Sequence, residues 1–222
     1  MIPLRDSLQS YSKPYVTIAI IAANALVFLF QLTLDEFSLN SFVSTYGMIP
    51  SRLHASSLVT SMFLHGGWLH LIGNMWFLWI FGDNVEDILG HAKYLLFYLL
   101  CGVAAALFQA ALNMDSRVPT IGASGAIAGV MGAYLVKFPR SRIVTLVFVL
   151  FFLTTIEIPA ALILLYWFGL QFFNGVGSIG SSHLSQGGVA WFAHVGGFLA
   201  GMLLVFALRP RERFRRREEL HW

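Results

Sequence analysis

The stretch GASGAIAGVMG, residues 122–132, opens an apolar run that continues to Lys137. Gly125 and Gly129 are four residues apart, so they lie on one face of a helix, and a face of small residues lets transmembrane helices pack closely. Ser124 is the one polar side chain in the stretch. The stretch therefore predicts a closely packed membrane helix that begins at Ser124, whose side chain carries a hydroxyl group.

A second run of similar character is AHVGG, residues 193–197, inside the apolar segment 190–208. Gly197 and Gly201 repeat the four-residue spacing. An ionisable side chain inside a membrane is costly, so His194 is by itself a hypothesis for a functional site. Close packing of the two helices would bring the imidazole of His194 within reach of the Ser124 hydroxyl group.

Composition indicates a membrane protein. Of the 222 residues, 57% are hydrophobic and 11% are charged, whereas a soluble domain carries about 25% charged residues. Mean hydropathy is +0.72. A transmembrane helix needs roughly 20 predominantly apolar residues. We therefore expect an all-α integral membrane protein with six transmembrane helices, at 15–34, 66–82, 92–113, 124–138, 158–174 and 190–208.

The basic residues predict the orientation of these helices, because cytoplasmic loops carry an excess of Lys and Arg. With six spans, 12 of the 14 basic residues lie on one side, and only Arg52 and Arg117 lie on the other. A seventh span within the long apolar stretch 143–173 would move the Arg-rich tail outside. We therefore expect six spans with both termini in the cytoplasm. Residues 143–157 then lie along the inner interface or in a re-entrant position.

The predicted organisation has three parts. Residues 1–14 form a cytoplasmic segment, residues 15–208 form the six-span domain, and residues 209–222 form a basic cytoplasmic tail. Such a tail most simply anchors the chain against anionic lipid. Nothing else in the chain supports binding of nucleic acid.

Four polar residues from three predicted helices share one depth in the membrane. Spans two, four and six all run from outside to inside. His70 and Asn74 lie early in span two, Ser124 opens span four, and His194 lies early in span six. At a rise of 1.5 Å per residue, all four lie within roughly 15 Å of the outer helix ends. The simplest interpretation is one site that opens to the extracytoplasmic side.

Each of the four residues suits acyl transfer. A serine becomes nucleophilic when a neighbouring base takes its proton, and a histidine is the natural base near neutral pH. The backbone N–H of Ser124 lies at a helix N-terminus, where it can stabilise an oxyanion. His70 and Asn74 are one turn apart on the same helix face, so they can add further donors.

The acidic residues lie elsewhere. None of the 11 Asp and Glu residues falls in the outer part of a predicted span. Asp83, Glu86 and Asp87 follow span two and predict a solvated turn on the inner side. We therefore expect a dyad of serine and histidine rather than a triad with a carboxylate.

At these residues the chain resembles the rhomboid family of intramembrane serine proteases, over roughly residues 15–208. The resemblance implies a six-helix rhomboid fold that cleaves transmembrane segments of substrate proteins near their membrane entry. It also implies that Ser124 is the nucleophile, that His194 is the base, and that Asn74, His70 and the Ser124 backbone N–H form the oxyanion hole. The matching stretches are GASG at 122–125, Ala193-His194 with Gly197 and Gly201, and HGGWLHLIGN at 65–74.

The resemblance further implies that span five and the loop before span six act as gate and cap. These are the region of Trp167 and Phe168 and residues 175–188. Some members of the family carry an aromatic residue one turn after the nucleophile, which stacks on the catalytic histidine. This chain has Ala128 there. The resemblance therefore leaves open how His194 is held in place.

Other classes of function are weaker. An inactive rhomboid-like protein that binds transmembrane clients would not need all four polar residues. A transporter or channel would be expected to carry charged intramembrane residues or an internal repeat. A metal-dependent intramembrane protease needs a ligand set such as H-E-x-x-H, whereas His65 and His70 are five apart with no Glu between them.

We expect no metal and no cofactor. The expected partners are transmembrane protein substrates and the lipid bilayer. A bacterial inner membrane suits the compact six-span form, and a eukaryotic organelle is the other location that the sequence allows. The natural substrate and the oligomeric state cannot be read from the sequence.

Overall fold

The computed structural model describes residues 2–149, 152–178 and 190–210. Six helices of 14 to 22 residues lie close to the six predicted apolar segments, and two shorter helices lie between the first two of them. The helices are α1 (Tyr15–Gln31), α2 (Glu36–Tyr46), α3 (Ser57–Thr60), α4 (Trp68–Leu89), α5 (His91–Leu112), α6 (Ser124–Lys137), α7 (Ala160–Ser178) and α8 (Trp191–Ala207).

Length and composition distinguish these helices. Within the described ranges, α5 and α7 are long and apolar enough to cross a membrane, and α1, α6 and α8 are shorter apolar helices. Two glycines with positive φ set helix boundaries. Gly90, at φ +76°, separates α4 from α5, and Gly122, at φ +119°, lies two residues before α6. A side chain is strained at such angles, so glycine is the residue that fits.

Helix α6 lies at the centre of the bundle. It packs against α4, α5, α7 and α8, and residues 125–135 are all buried. The contact with α8 brings backbone against backbone. A Cβ atom at Gly197 would collide with the carbonyl oxygen of Gly125, and one at Gly201 would collide with that of Gly129. Glycine at these positions is therefore what allows α6 and α8 to approach so closely.

The expectation of an all-α chain is wrong for the segment after α6. Of residues 143–157, expected along the inner interface or in a re-entrant position, the described ones lie in the two antiparallel strands of a hairpin, β2 (Arg142–Val149) and β3 (Phe152–Pro159). Strand β1 (Ile2–Asp6) adds to it, so the antiparallel order is β1-β2-β3. Ile143, Thr145 and Val147 are buried, in the alternation of a half-buried strand, and β-branched residues favour that conformation.

The sheet connects two of the helices. The indole Nε1 of Trp76 on α4 donates a hydrogen bond to the carbonyl oxygen of Pro3 in β1, at 2.6 Å. Strands β2 and β3 contact α7. The N-terminal strand and the hairpin therefore join α4 and α7, two helices that are far apart in the sequence.

The predicted solvated turn at the end of α4 is also wrong. Glu86 is fully buried and Asp87 is 7% exposed. The Glu86 carboxylate accepts hydrogen bonds from the backbone N–H groups of Val16 and Thr17 and from the Thr17 hydroxyl, at 2.7–2.9 Å. Asp87 accepts from two backbone N–H groups just before α1. These carboxylates therefore satisfy N–H groups in and before the first turn of α1, which otherwise lack partners.

Two predicted regions lie partly outside the described residues. The basic tail, 209–222, is described only to residue 210. The predicted cap, 175–188, is described only to residue 178.

Candidate active site

Ser124 and His194 meet at the junction of α6 and α8. The hydroxyl oxygen of Ser124 lies 2.8 Å from Nε2 of His194. Ser124 is the first residue of α6, and His194 is the fourth residue of α8. The close glycine contact between the two helices holds their backbones near enough for these two side-chain atoms to meet. A hydroxyl group and an imidazole nitrogen in hydrogen-bond contact are the arrangement that a serine nucleophile and its base require.

The second ring nitrogen of His194 has a partner that the sequence did not predict. Nδ1 lies 2.6 Å from Oε1 of Gln171 on α7, and both side chains are buried. An amide oxygen only accepts hydrogen bonds, so Nδ1 carries the hydrogen. Nε2 is then free to accept the hydrogen of the Ser124 hydroxyl group.

Two indole rings flank the imidazole. The Trp167 ring centroid on α7 lies 5.7 Å from that of His194, with an interplanar angle of 37°. Trp191, on the first turn of α8, approaches at 6.4 Å and is perpendicular. Ala128 is buried one turn after Ser124. The aromatic contacts to His194 therefore come from α7 and α8, and not from α6.

A second glutamine holds the start of α8. The backbone N–H of Ala193 donates to Oε1 of Gln109 on α5, at 3.0 Å. Ala193 is the third residue of α8, and an N–H group in the first turn has no partner within the helix. Gln109 therefore fixes the backbone that leads directly into His194.

His70 and Asn74 converge next to Gly122. A Cβ atom built on Gly122 would lie 2.6 Å from Nε2 of His70 and 3.6 Å from Nδ2 of Asn74. The backbone N–H of Gly66 lies 3.4 Å from Nδ1 of His70 and donates to it, so Nε2 carries the ring hydrogen. In the described part of the chain, the buried Nδ2 of Asn74 has no hydrogen-bond partner. Two N–H donors thus lie next to the backbone just before Ser124.

His65 lies just before α4 and is almost fully buried. Its ring approaches that of His70 edge-on, with centroids 5.1 Å apart. Burial and, as a smaller cause, the neighbouring His70 together lower the pKa of His65 to about 4. The ring is therefore neutral near pH 7.

The predicted gate residues pack on α8. The Phe168 ring stacks on Phe198, with centroids 4.7 Å apart, and the Trp167 ring lies 6.2 Å from the same phenylalanine. Among the residues that the structure describes, no group of three or more His, Cys, Asp or Glu side chains could hold a metal ion.

Sequence reasoning missed Gln109 and Gln171. Each is an amide in a predominantly apolar helix, and such residues often form hydrogen bonds between membrane helices. That signal was present in the sequence, but it does not say which atom the amide contacts.

Comparison with known proteins identifies the family. The family model for the Rhomboid domain matches residues 52–211. RHOMBOID-like protein 6, mitochondrial, from Arabidopsis thaliana is 34% identical over 154 residues, which are 68% of this chain and 43% of that protein. Rhomboid protease GluP from Bacillus subtilis is 32% identical over 201 residues, which are 88% of this chain and 35% of that protein.

The presenilin-associated rhomboid-like protein, mitochondrial, from Mus musculus is 34% identical over 128 residues, which are 56% of this chain and 33% of that protein. The chain thus spans less than half the length of these curated relatives. Since the family match covers most of the chain, the chain belongs to the rhomboid family of integral membrane proteins.

Proposed function

We propose that this chain is an intramembrane serine endopeptidase. It hydrolyses peptide bonds in or near the transmembrane segments of membrane-protein substrates. The observation that carries the proposal is the 2.8 Å contact between the Ser124 hydroxyl oxygen and Nε2 of His194. Similarity to a bacterial rhomboid protease over 88% of the chain supports the same reaction.

The reaction follows from the proton positions in this pair. Ser124 Oγ attacks the carbonyl carbon of the scissile bond while its proton passes to Nε2 of His194. The tetrahedral intermediate then expels the amine, which takes that proton from the imidazolium. This leaves an acyl-enzyme on Ser124. A water molecule, deprotonated by His194 in turn, releases the new carboxyl terminus and restores the serine.

The negative oxygen of the intermediate needs donors that are already in place. Asn74 Nδ2 makes no hydrogen bond to any residue that the structure describes, and His70 Nε2 carries a hydrogen next to Gly122. The N–H of Ser124 is the first of α6 and lacks a partner within the helix. These three groups form the proposed oxyanion hole, where prearranged donors stabilise developing charge.

The proposed membrane orientation puts this site at the extracytoplasmic ends of six spans, with both termini in the cytoplasm. All four site residues lie in the first third of α4, α6 or α8. The loops that carry Arg52 and Arg117 are neighbours, since Ser51 N–H donates to the carbonyl oxygen of Ser116. The other basic residues that the structure describes lie at or near the opposite ends of the helices, in agreement with the positive-inside rule.

Helix α7 is the proposed gate. Trp167 and Phe168 pack on the α8 helix that carries His194, so an outward shift of α7 would open the space beside the dyad. The plasma membrane of a bacterium is the proposed location.

A cleavage assay in liposomes with a generic single-span substrate tests the proposal. We expect cleavage by the parent protein and none by Ser124→Ala or His194→Ala. A variant Ser124→Ala that cleaves at the parental rate would overturn the proposed mechanism. A folded parent that binds the substrate without cleaving it would instead favour an inactive, client-binding rhomboid-like protein.

A further inference from the structure

We propose that Gln171 is the positioning residue that takes the place of a triad carboxylate, by holding His194 in the tautomer that can deprotonate Ser124. The proposal rests on the proposed function of the dyad. It assigns a role to a residue on α7 that no motif in the chain marks.

The geometry is that of an orienting group and a base. Gln171 Oε1, His194 and Ser124 Oγ form one chain of hydrogen bonds, with lengths of 2.6 Å and 2.8 Å. A neutral imidazole carries its hydrogen on either nitrogen, and the partner of one nitrogen decides the state of the other. With the amide oxygen at Nδ1, the hydrogen stays there and Nε2 is the basic nitrogen. With the opposite tautomer, Nε2–H would point at the serine, and no proton could be taken from it.

Burial makes this partner decisive. The exposed fractions of Gln171 and His194 are 7% and 8%, so water has little access to compete for Nδ1. The hydrogen bond between Nδ1 and the Gln171 side chain also strengthens during the reaction, because Nδ1–H becomes a charged donor when the imidazolium forms. Charge-assisted hydrogen bonds are about twice as strong as neutral ones. The glutamine therefore stabilises the intermediate state more than the resting state.

Helix α7 makes two contacts with the His194 imidazole. Gln171 lies one turn after Trp167, so the amide and the indole face the same ring. Both contacts would be lost together if α7 moved away from α8. His194 therefore keeps the tautomer that can deprotonate Ser124 only while α7 packs against α8. The movement of α7 proposed above as a gate would then also switch the catalytic histidine off.

Three variants separate positioning from packing. Gln171→Met has a similar volume but lacks the amide acceptor. Gln171→Glu keeps an acceptor oxygen at the same reach. Leu170→Met is the matched control on the same helix, because Leu170 is 42% exposed and belongs to neither the dyad nor the oxyanion hole.

In the cleavage assay we expect Gln171→Met to lower kcat by about 10- to 100-fold, the usual range for a hydrogen bond to a charged group. KM should change by less than about 2-fold, since the amide acts on the base and not on substrate binding. Gln171→Glu should recover most of the loss, and Leu170→Met should match the parent. Parental kcat in folded Gln171→Met, with Ser124→Ala inactive, would overturn the positioning role and leave the protease proposal intact.

A spectroscopic readout does not depend on activity. In ¹⁵N NMR of the histidine rings, with His194→Ala used for assignment, we expect the Nδ1–H tautomer of His194 in the parent and a mixture in Gln171→Met. An Nε2–H tautomer in the parent would contradict the proposal, even where a variant fails to fold. If no form of the protein cleaves the substrate, the proposed function fails, and the tautomer still decides whether Gln171 holds His194.

Discussion

Helix α4 connects two regions that hold buried polar groups in different ways. Near its start, His70 and Asn74 belong to the proposed active site with Ser124 and His194, where the supporting side chains are the neutral amides Gln109 and Gln171. Near its end, the supporting side chains are carboxylates, and Glu86 binds N–H groups of the first turn of α1. The two regions are roughly 20 Å apart along the helix, at 1.5 Å per residue.

The difference follows from what each region holds. A backbone N–H never changes its charge, so a fixed carboxylate can bind it throughout the life of the protein. A catalytic imidazole must gain a proton and lose it again. Either a carboxylate or an amide oxygen can hold the Nδ1 hydrogen and so orient the ring, and the amide does so without burying a charge in an apolar helix. We therefore expect substitutions in the first region to change the rate and those in the second to change stability.

Among the residues that surround the dyad, the largest effect is expected at the proposed oxyanion donor Asn74. Asn74→Ala should lower kcat by about 10²–10³, as removal of one such donor typically does. The melting temperature should stay near the parental value, because Nδ2 of Asn74 makes no hydrogen bond in the described part of the resting protein. Steady-state cleavage and thermal unfolding in detergent measure the two quantities.

Asn84→Ala is the matched control on the same helix. Its Nδ2 donates to Asp6 and Asp83 at 2.7 and 2.9 Å, in the carboxylate region. It should lower the melting temperature and leave kcat of the folded protein unchanged. If Asn74→Ala lowered the melting temperature and left kcat unchanged, Asn74 would be a structural residue, and the division into a catalytic and a structural region would be wrong.

At the contact between α6 and α8, we expect a smaller effect on rate than at Asn74, together with a loss of stability. Gly197→Ala forces a methyl group onto the Gly125 carbonyl oxygen. The overpacking should cost about 1–3 kcal/mol of unfolding free energy. Since a displacement of 1 Å can cost about 10²-fold in rate, activity should fall by a similar factor. In Gly169→Ala on α7 the added methyl group meets no atom of another described segment within 4 Å, so this variant should behave like the parent.

The smallest effect on rate is expected at Glu86, where the change is confined to stability. Glu86→Gln removes the charge that faces the N–H groups of Val16 and Thr17 and Nδ1 of His91, so it should lower the unfolding free energy by about 1.5–3 kcal/mol. Urea unfolding followed by tryptophan fluorescence measures this change. Glu157→Gln is the control, since its 3.5 Å ion pair with Arg142 is half exposed. Such pairs contribute about 0–1 kcal/mol. Equal effects of the two substitutions would show that Glu86 is not a structural cap.

The sequence indicated the helices and the polar site residues more fully than it did the contacts between distant segments. Apolar runs marked the positions of the six longer helices, and spacing along them put His70, Asn74, Ser124 and His194 at one depth. The hairpin in 142–159 was missed because its apolar residues suit a helix equally well, and because its partner strand lies at the N-terminus.

The capping role of Glu86 was missed for a related reason. Three acidic residues at a helix end normally face water, and the N–H groups that Glu86 binds are about 70 residues away in the chain. Gln171 shows the same limit, since it is 23 residues from the histidine that it contacts. Local pattern reveals which residues are unusual, and the tertiary fold decides which atoms they meet.

Labelling with a fluorophosphonate tests the central claim most directly, because the reagent reacts with a serine only when a neighbouring base activates it. The adduct is mapped by mass spectrometry in the parent, in Ser124→Ala and in His194→Ala. We predict a single modified serine, Ser124, in the parent and no adduct in either variant. A folded parent that takes up no label, or a Ser124 that reacts at the parental rate in His194→Ala, would contradict the account.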